Sequence, residues 1–420
     1  MTDKECPKRY ISVSVSFDLC SKKTSGYPTS GVAKRWRGSC CVNTKTVIDL
    51  FSGAGGLSEG FRQAGYDVRA GNDFFGAAGE TFAATHKHAT FLPGPIQKYS
   101  PENFLEAAGL GSGELDVLVG GPPCQGFSVY NHQRGLHDER SSLYHEYLRI
   151  VSGLKPNWIV LENVTGMTSA GGGAAVGGIL SGLEALGYTV RAEVLRAEDY
   201  GVPQERRRLV FIGNRVGAPM PLPKKTHGIG LLPFVTVEDA LADLPQLLNG
   251  EDSKLTDYAH EPRSAFQLCM RYGSNGVKNH SAAKLSRINL DRLKHIPQGG
   301  SWRDIPYELL PEGMKRAKRS DHTKRYGRLS WSGMASTILT KCDPHWGAYF
   351  HPSQDRTLTV REAARLQSFP DWFEFKGSRT EQYIQVGNAV PPLLGFAIAE
   401  AISAATGIAL ADERRDLIAA

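Results

Sequence analysis

The segment Gly120-Gly121-Pro122-Pro123-Cys124-Gln125-Gly126-Phe127-Ser128 is where the chain first suggests covalent chemistry. Two prolines restrict the backbone ahead of the cysteine and pre-organise its thiol. A thiolate is a strong nucleophile once its proton is removed or its pKa lowered. A lone cysteine is more often a buried structural residue, but the Pro-Pro lead and the Gly/Ser flanks argue against that here. Glu162-Asn163-Val164 closes a later apolar run. A carboxyl half-shielded from water at such an edge has a raised pKa and can donate a proton; Asn163 could equally be an ordinary helix cap. Gln204-Glu205-Arg206-Arg207-Arg208 leads into Leu209 to Ile212. Strand alternation sends Arg206 and Arg208 to one face and Arg207 to the other. Two guanidiniums aimed at one spot suit an anionic or carbonyl-rich ligand.

A fourth feature is a turn, Ser52-Gly53-Ala54-Gly55-Gly56, after the apolar run Thr46 to Phe51. Glycines after a first strand let the backbone approach a ligand closely. Asp73, seventeen residues after Gly56, is placed to bind ribose hydroxyls, and Phe74 beside it to stack on an adenine. The full G-x-G-x-x-G spacing is missing, so this segment points to an adenosine-type cofactor rather than a dinucleotide, or to a merely structural turn.

These residues need a scaffold, and the elements between them supply one. Strands are expected at Thr46 to Phe51, Tyr66 to Ala70, Leu115 to Val119, Trp158 to Leu161, Thr189 to Leu195 and Leu209 to Ile212, with helices at Leu57 to Ala64, Gly76 to Thr85, Leu143 to Leu154 and Ile179 to Leu186. Short apolar strands alternating with helices predict an α/β fold, a doubly wound and mostly parallel sheet covered on both faces. The candidate residues sit where open sheets hold their sites, at the carboxyl ends of strands. Ala170 to Gly178 reads as a Gly/Ala-rich loop. After Asn214 the alternation stops. A helix over Val360 to Gln367, a turn at Val386-Gly387-Asn388 and an apolar helix over Pro391 to Ala404 follow. Three parts are expected: an extension, 1–44; a catalytic, cofactor-binding domain, 45–215 plus 380–420; and a second, smaller domain, 216–379.

Composition narrows the class. Of 420 residues, 41% are hydrophobic and 22% charged, the balance of a soluble globular protein. No run of about 18 apolar residues marks a membrane helix, and the charged start of the chain does not read as a secretion signal. The seven cysteines are scattered without zinc-ligand spacing, so no metal site is expected. Net charge is +6, but Ser281 to Ser330 holds twelve Lys and Arg against five Asp and Glu, which leaves the remainder at −1. Such a concentration suits phosphate binding, and equally a solvated basic surface.

Together these segments resemble the cytosine-5 DNA methyltransferase family, in family order from Thr46 to about Ala404. The Gly-Pro-Pro-Cys-Gln-Gly-Phe-Ser, Glu-Asn-Val and Gln-x-Arg-x-Arg segments, Leu358 to Pro370, and Gln385-Val386-Gly387-Asn388-Ala389-Val390-Pro391-Pro392 carry the resemblance. It implies the sheet of the S-adenosylmethionine-dependent methyltransferases with a target-recognition domain. S-adenosylmethionine is the implied cofactor, lined by Phe51, Gly53, Gly56, Leu57, Ile96 and Pro123, with Asp73 on the ribose, Phe74 on the adenine, and Asn388 and Val390 closing the site. Cys124 would attack carbon 6 of cytosine, Glu162 would hydrogen-bond or protonate ring nitrogen 3, Arg208 would hold the 2-oxo group and Arg206 would orient nearby groups. Asn163 would support the loop; Gln125 and Ser128 would secure the nucleotide's backbone. Carbon 5 of cytosine is a poor nucleophile. Thiolate addition at carbon 6 with protonation of nitrogen 3 converts the ring to an enamine, whose carbon 5 can attack the sulfonium methyl; loss of the carbon 5 proton and of the thiol then restores aromaticity. The base must leave the stack for this, at a cost of a few kcal/mol.

One position departs from the family, which has Gly-Asp-Ile where this chain has Gly94-Pro95-Ile96. The aspartate would contact the adenine amino group, a hydrogen bond worth about 1 kcal/mol, and backbone groups of Ile96 are left to serve. The recognition region would fall within 216–345. It includes Gln298 to Pro306, where Arg303 and Gln298 could read base edges and Trp302 reads as a core residue. The implied partner is double-stranded DNA, with a cognate restriction endonuclease as a further one; the implied state is a monomer in the cytoplasm, nucleoid-associated through DNA. A tRNA substrate, a silent DNA-binding paralogue and a nicotinamide dehydrogenase are the competing readings. The Gln-Gly-Phe-Ser after the cysteine, the intact Cys124, Glu162 and Arg208, and the Pro-Pro-Cys respectively speak against them.

Overall fold

The computed structural model describes residues 44–123, 143–169, 173–253 and 255–407. All described residues belong to one compact unit. Its first half alternates as the periodicity predicts: β1 (Thr46–Leu50), α1 (Gly56–Gln63), β2 (Asp67–Asp73), α2 (Gly76–Thr85), β3 (Thr90–Pro93), α3 (Pro101–Ala108), β4 (Val117–Gly120), α4 (Leu143–Leu154), β5 (Trp158–Val164), α5 (Ala174–Ala185), β6 (Thr189–Arg196) and β7 (Arg207–Asn214). The seven strands lie in the order β3-β2-β1-β4-β5-β7-β6. Neighbours from β3 to β5 are parallel; β7 runs antiparallel to β5 and β6. The order reverses between β1 and β4, so the turns leaving these two strands diverge and open a crevice at their carboxyl ends.

Alternation along each strand divides the core into two faces. Val47, Val117, Val119, Trp158, Val160, Val210 and Ile212 point to one cluster, shared with α1 and the C-terminal helices. Ile48, Leu50, Leu118, Ile159, Leu161, Leu209 and Phe211 point to the other, covered by α3, α4 and α5. The second half adds short elements: α6 (Val237–Leu241), β8 (Leu255–Thr256), α7 (Ala265–Arg271), β9 (Val277–Lys278), α8 (Arg287–Leu293), α9 (Glu312–Lys315), α10 (Val360–Leu366), α11 (Arg379–Asn388) and α12 (Pro392–Ala405). Leu293, Ile296, Trp302, Ile305, Leu310, Met314, Tyr326 and Phe350 form a separate small core. Trp302 is buried there, its indole N–H donating to the His322 carbonyl, 3.1 Å. By contrast Leu358, Val360, Ala363, Leu366, Phe369 and Phe373 join the large cluster beside the sheet.

Three local expectations change. Ala174 to Gly178 belongs to α5, begun by Gly173 at φ 90°, because alanines supply helix propensity that the neighbouring glycines only dilute. Val386-Gly387-Asn388 ends α11 rather than forming a separate turn. β3 is only four residues long and ends in a proline, so it gave no strand signal. The span Arg379–Ala405 is long and apolar enough to cross a membrane, yet 78% of its most apolar stretch is buried within the protein. Proline at 391 and 392 separates α11 from α12, and α12 lies on α1 as a core helix.

That packing depends on missing side chains. A Cβ on Gly60 would stand 2.5 Å from the Pro392 carbonyl oxygen and 2.6 Å from the Phe396 nitrogen; one on Gly56 would stand 2.4 Å from the Val390 carbonyl oxygen. Asp49, wholly buried at the base of the first turn, accepts a 2.6 Å hydrogen bond from Ser58 Oγ. Burial pushes its carboxyl up to about 7, against that hydrogen bond.

Two outcomes are expected. Gly60→Ala improves helix propensity yet should destabilise the protein by about 1–3 kcal/mol, because it meets backbone rather than a yielding side chain. Gly76→Ala, at a position with nothing within 4 Å of the added carbon, should be neutral or better in the same urea titration. Asp49 binds its proton more tightly folded than unfolded, so its contribution to stability is complete below about pH 4 and is lost as pH rises through 7. Wild type should therefore lose stability relative to Asp49→Asn across this window, on the order of 4 kcal/mol at full ionisation. Parallel slopes for the two proteins would refute the assignment.

Candidate active site

The turn after β1 is bent by three left-handed residues, Phe51 (φ 57°), Gly53 (φ 54°) and Gly55 (φ 92°). A non-glycine residue in that region costs about 1–3 kcal/mol and persists only where neighbours enforce it. Here they do: Ser52 N–H donates to the Asn72 carbonyl, 2.9 Å, and Gly53 N–H to Asp73 Oδ2, 2.9 Å. Asp73 Oδ1 also accepts from Phe75 N–H, 2.8 Å. Burial raises the Asp73 carboxyl and these backbone donors oppose the rise. Asn72 Nδ2 donates to the carbonyls of Leu92 and Gly94, 2.7 and 3.0 Å, joining the β3 turn to the same edge.

The result is an open cradle. A Cβ on Gly53 or Gly94 would meet nothing within 4 Å. Phe74 presents its ring at 68% exposure, Leu57 and Ile96 are buried, each in one of the two core clusters, and Pro95 is exposed ahead of Ile96. From the other end of the chain, the Val390 carbonyl lies against Gly56 and Asn388 is exposed beside it in sequence. An aromatic face, a carboxylate and open glycine backbone fit an adenosine-containing molecule. Missing from the sequence reading was the Asp73 tie to Gly53: the carboxylate shapes the cradle as well as facing it.

Across the switch point, β4 ends at Gly120 and delivers Gly121-Pro122-Pro123; Gly121 N–H donates to the Leu50 carbonyl, 3.3 Å. Cys124, Gln125 and Ser128 lie outside the described residues. What the structure places is their approach: Asn163 Nδ2 donates to the Pro122 carbonyl, 2.9 Å, from the buried end of β5. Asn163 therefore ties the Pro-Pro turn to the strand that carries Glu162, and is no helix cap. Glu162 Oε1 lies 2.6 Å from Arg208 Nε, both side chains 12% exposed. The antiparallel register pairs Glu162 with Val210 and Val164 with Arg208, so Glu162 and Arg208 are diagonal neighbours on one face. Burial pushes the Glu162 carboxyl up, opposed mainly by the Arg208 guanidinium; Arg208 is pulled down by burial and held up by Glu162. Gly121 leaves room for the carboxylate, since a Cβ there would stand 3.0 Å from Glu162 Oε2.

The alternation at 206–208 holds, with Arg207 exposed and its neighbours inside, but the two inward guanidiniums do not share one target. Arg206 is wholly buried and donates from Nη1 to the Ile338 carbonyl, 3.0 Å, and from Nη2 to those of Gly387 and Ala389, 2.9 and 2.8 Å. Gln204, given no role from sequence, donates to the Leu366 carbonyl, 2.8 Å, and accepts from Ile338 N–H, 2.8 Å. Gln367 continues the chain to the Val386 carbonyl, 2.7 Å. Both amides stand in segments that carry the resemblance, but those segments give them no task; their burial is what marks them as structural. Arg303 is partly buried in the short turn Trp302–Asp304 on the small core, away from the described contacts of Glu162 and Arg208.

This geometry agrees with what the chain resembles in other proteins. The C-5 cytosine-specific DNA methylase family model matches residues 45–404. The type II methyltransferase M.AgeI of Thalassovita gelatinovora is 34% identical over 426 residues, covering 86% of this chain and 99% of that one. M1.HphI of Haemophilus parahaemolyticus is 36% identical over 359 residues, covering 85% and 86%. The crystal structure of a prophage-encoded DNA modification methyltransferase from E. coli superimposes with a TM-score of 0.70 at 25% identity, covering 87% of this chain and all of the other. With Glu162, Arg208 and the Pro-Pro turn on one sheet edge and a family match from the first strand to the last helix, this chain belongs to the C-5 cytosine-specific DNA methylases.

Proposed function

We propose that the chain methylates carbon 5 of a flipped-out cytosine within a specific duplex DNA sequence, with S-adenosylmethionine as donor and Cys124 as nucleophile, as the modification partner of a restriction system. The observation that carries this reading is the Glu162–Arg208 pair, held one hydrogen bond from the Pro-Pro turn and on the same sheet edge as the open cradle. Bound in that cradle, S-adenosylmethionine would supply an electrophilic methyl group.

The residues divide the work. Cys124 adds to carbon 6 while Glu162 delivers a proton to nitrogen 3. Glu162 needs its proton for this, and burial favours the protonated acid; the opposing influence is Arg208. As Arg208 turns toward the 2-oxo group, Glu162 loses its stabilising partner and holds the proton more firmly, so arrival of the base readies the acid. Gln125 and Ser128 secure the target nucleotide. Residues 216–345, with their basic stretch and Arg303, serve recognition through phosphate and base-edge contacts. The relatives named type II methyltransferases support the restriction-modification role, exercised as a monomer on nucleoid DNA in the cytoplasm.

Bisulfite sequencing of genomic DNA from a host lacking cytosine methylation tests the whole reading. Expression should protect cytosines at one short motif, and Cys124→Ser should abolish protection. Full conversion despite folded protein would overturn the DNA assignment and direct the assay to tRNA. Glu162→Gln should lower methyl transfer by about 10²–10⁴-fold, the range for a general acid, with duplex affinity within a few-fold. Near-normal turnover would remove Glu162 from the chemistry.

A further inference from the structure

We propose that Arg206 is a positioning residue of the cofactor site: its guanidinium caps the carboxyl end of α11 and so sets where Asn388 and Val390 stand against the first-strand turn. The inference rests on the S-adenosylmethionine reading above and gives Arg206 a task distinct from that of Arg208.

The last carbonyls of an α-helix have no partners within the helix. In α11 they are claimed from outside. Val386 O accepts from Gln367 Nε2 at 2.7 Å; Gly387 O and, just past the helix, Ala389 O both accept from Arg206 Nη2. Asn388 lies between those two carbonyls and is exposed. A cation at the negative end of the helix dipole is favourable, and more so away from water. Burial depresses the Arg206 pKa, with Arg208 adding to the effect and Glu162 opposing it, yet a guanidinium stays charged in proteins.

Arg206 is itself held. Its backbone N–H donates to Glu198 Oε2, 3.1 Å, and its carbonyl accepts from Ala197 N–H, 2.8 Å. Its Nη1 reaches the Ile338 carbonyl, just before the Leu339–Thr340 backbone that presses on Gly387; a Cβ on Gly387 would stand 2.3 Å from the Leu339 carbonyl. Thus the start of β7, the 338–340 segment and the end of α11 meet on one planar fork. Beyond it the chain needs only Val390 to reach Gly56. An ammonium lacks the fork and cannot span the three carbonyls in the same geometry.

Arg206→Lys keeps the charge and removes the fork, so it is the decisive variant even if Arg206→Ala does not fold. Calorimetric titration of S-adenosylmethionine into protein without DNA should show affinity weakened by about tenfold, the scale of one lost charge-assisted hydrogen bond, with duplex affinity by gel shift within twofold. Amide exchange at 386–390 without cofactor should quicken. In an Asn388→Ala background the effect of Arg206→Lys on cofactor affinity should shrink, because one of the two residues it positions is gone. Unchanged cofactor affinity, a loss confined to DNA, or the full tenfold loss persisting beside Asn388→Ala would each overturn the proposal. If wild type binds no S-adenosylmethionine, the cofactor reading fails first, and unaltered exchange at 386–390 in Arg206→Lys would then overturn the positioning role.

Discussion

A carboxyl group buried at the edge of a sheet is tolerable only if it is neutral or faces a positive charge, and the architecture around Glu162 follows from that constraint. β5 is parallel to β4 on one side and antiparallel to β7 on the other. The parallel neighbour brings the Pro-Pro turn to the end of β5. The antiparallel neighbour arrives from the opposite direction, so its first residues, not its last, lie at the same edge. Only a reversed strand could begin with an arginine there and continue as Leu209–Ile212 into the core. The one antiparallel strand of the sheet is thus what gives a buried acid its guanidinium. A buried pair adds little net stability, but losing one partner costs about 3–5 kcal/mol, which makes the pairing a demand on the fold.

The second half of the chain meets similar demands with buried arginines. Arg365 pairs with Asp371 at 2.7 Å and Asp243 at 2.9 Å, Arg356 pairs with Glu362 at 2.7 Å, and Arg361 donates to the carbonyls of Lys278, Pro370 and Phe373. These contacts run from α6, β9 and the 356–373 segment into one network beside the large core. Few regular elements occur between Asn214 and Val360, and directed polar contacts do there what sheet hydrogen bonds do in the first half.

Much of this could be read from the sequence because strongly patterned segments obey local physics. α2 and α4 span the residues predicted, and every apolar run proposed as a strand is one. Glu162, Asn163, Asp73 and the glycine turn were legible because polar residues that end apolar runs have few structural reasons to be there. The divergence of Arg206 from Arg208 was not. Alternation assigns a face, while the partners on that face come from 338 and 387, more than 130 positions away. Gln204 and Gln367 escaped for the same reason, since an amide pairs equally well with water or with a distant carbonyl. Ala174 to Gly178 was misread because glycine content suggested a loop, where a helix packed against β6 prevails.

The glycines of α1 impose an order in time. Their bare surface is the seat for Pro392 to Gly395, and Tyr66 donates to the carbonyl of Ala399, 333 positions later. During synthesis the first turn, α1 and β2 therefore leave the ribosome with one side unmatched, and wait through the production of residues 74–391 before α12 can cover them. Contacts this distant slow folding and leave apolar surface bare meanwhile. The wait also has a use. The turn after β1 is finished last, after residues 216–345, so on the function proposed above a growing chain would hold no complete catalytic machinery before its means of discrimination had been made.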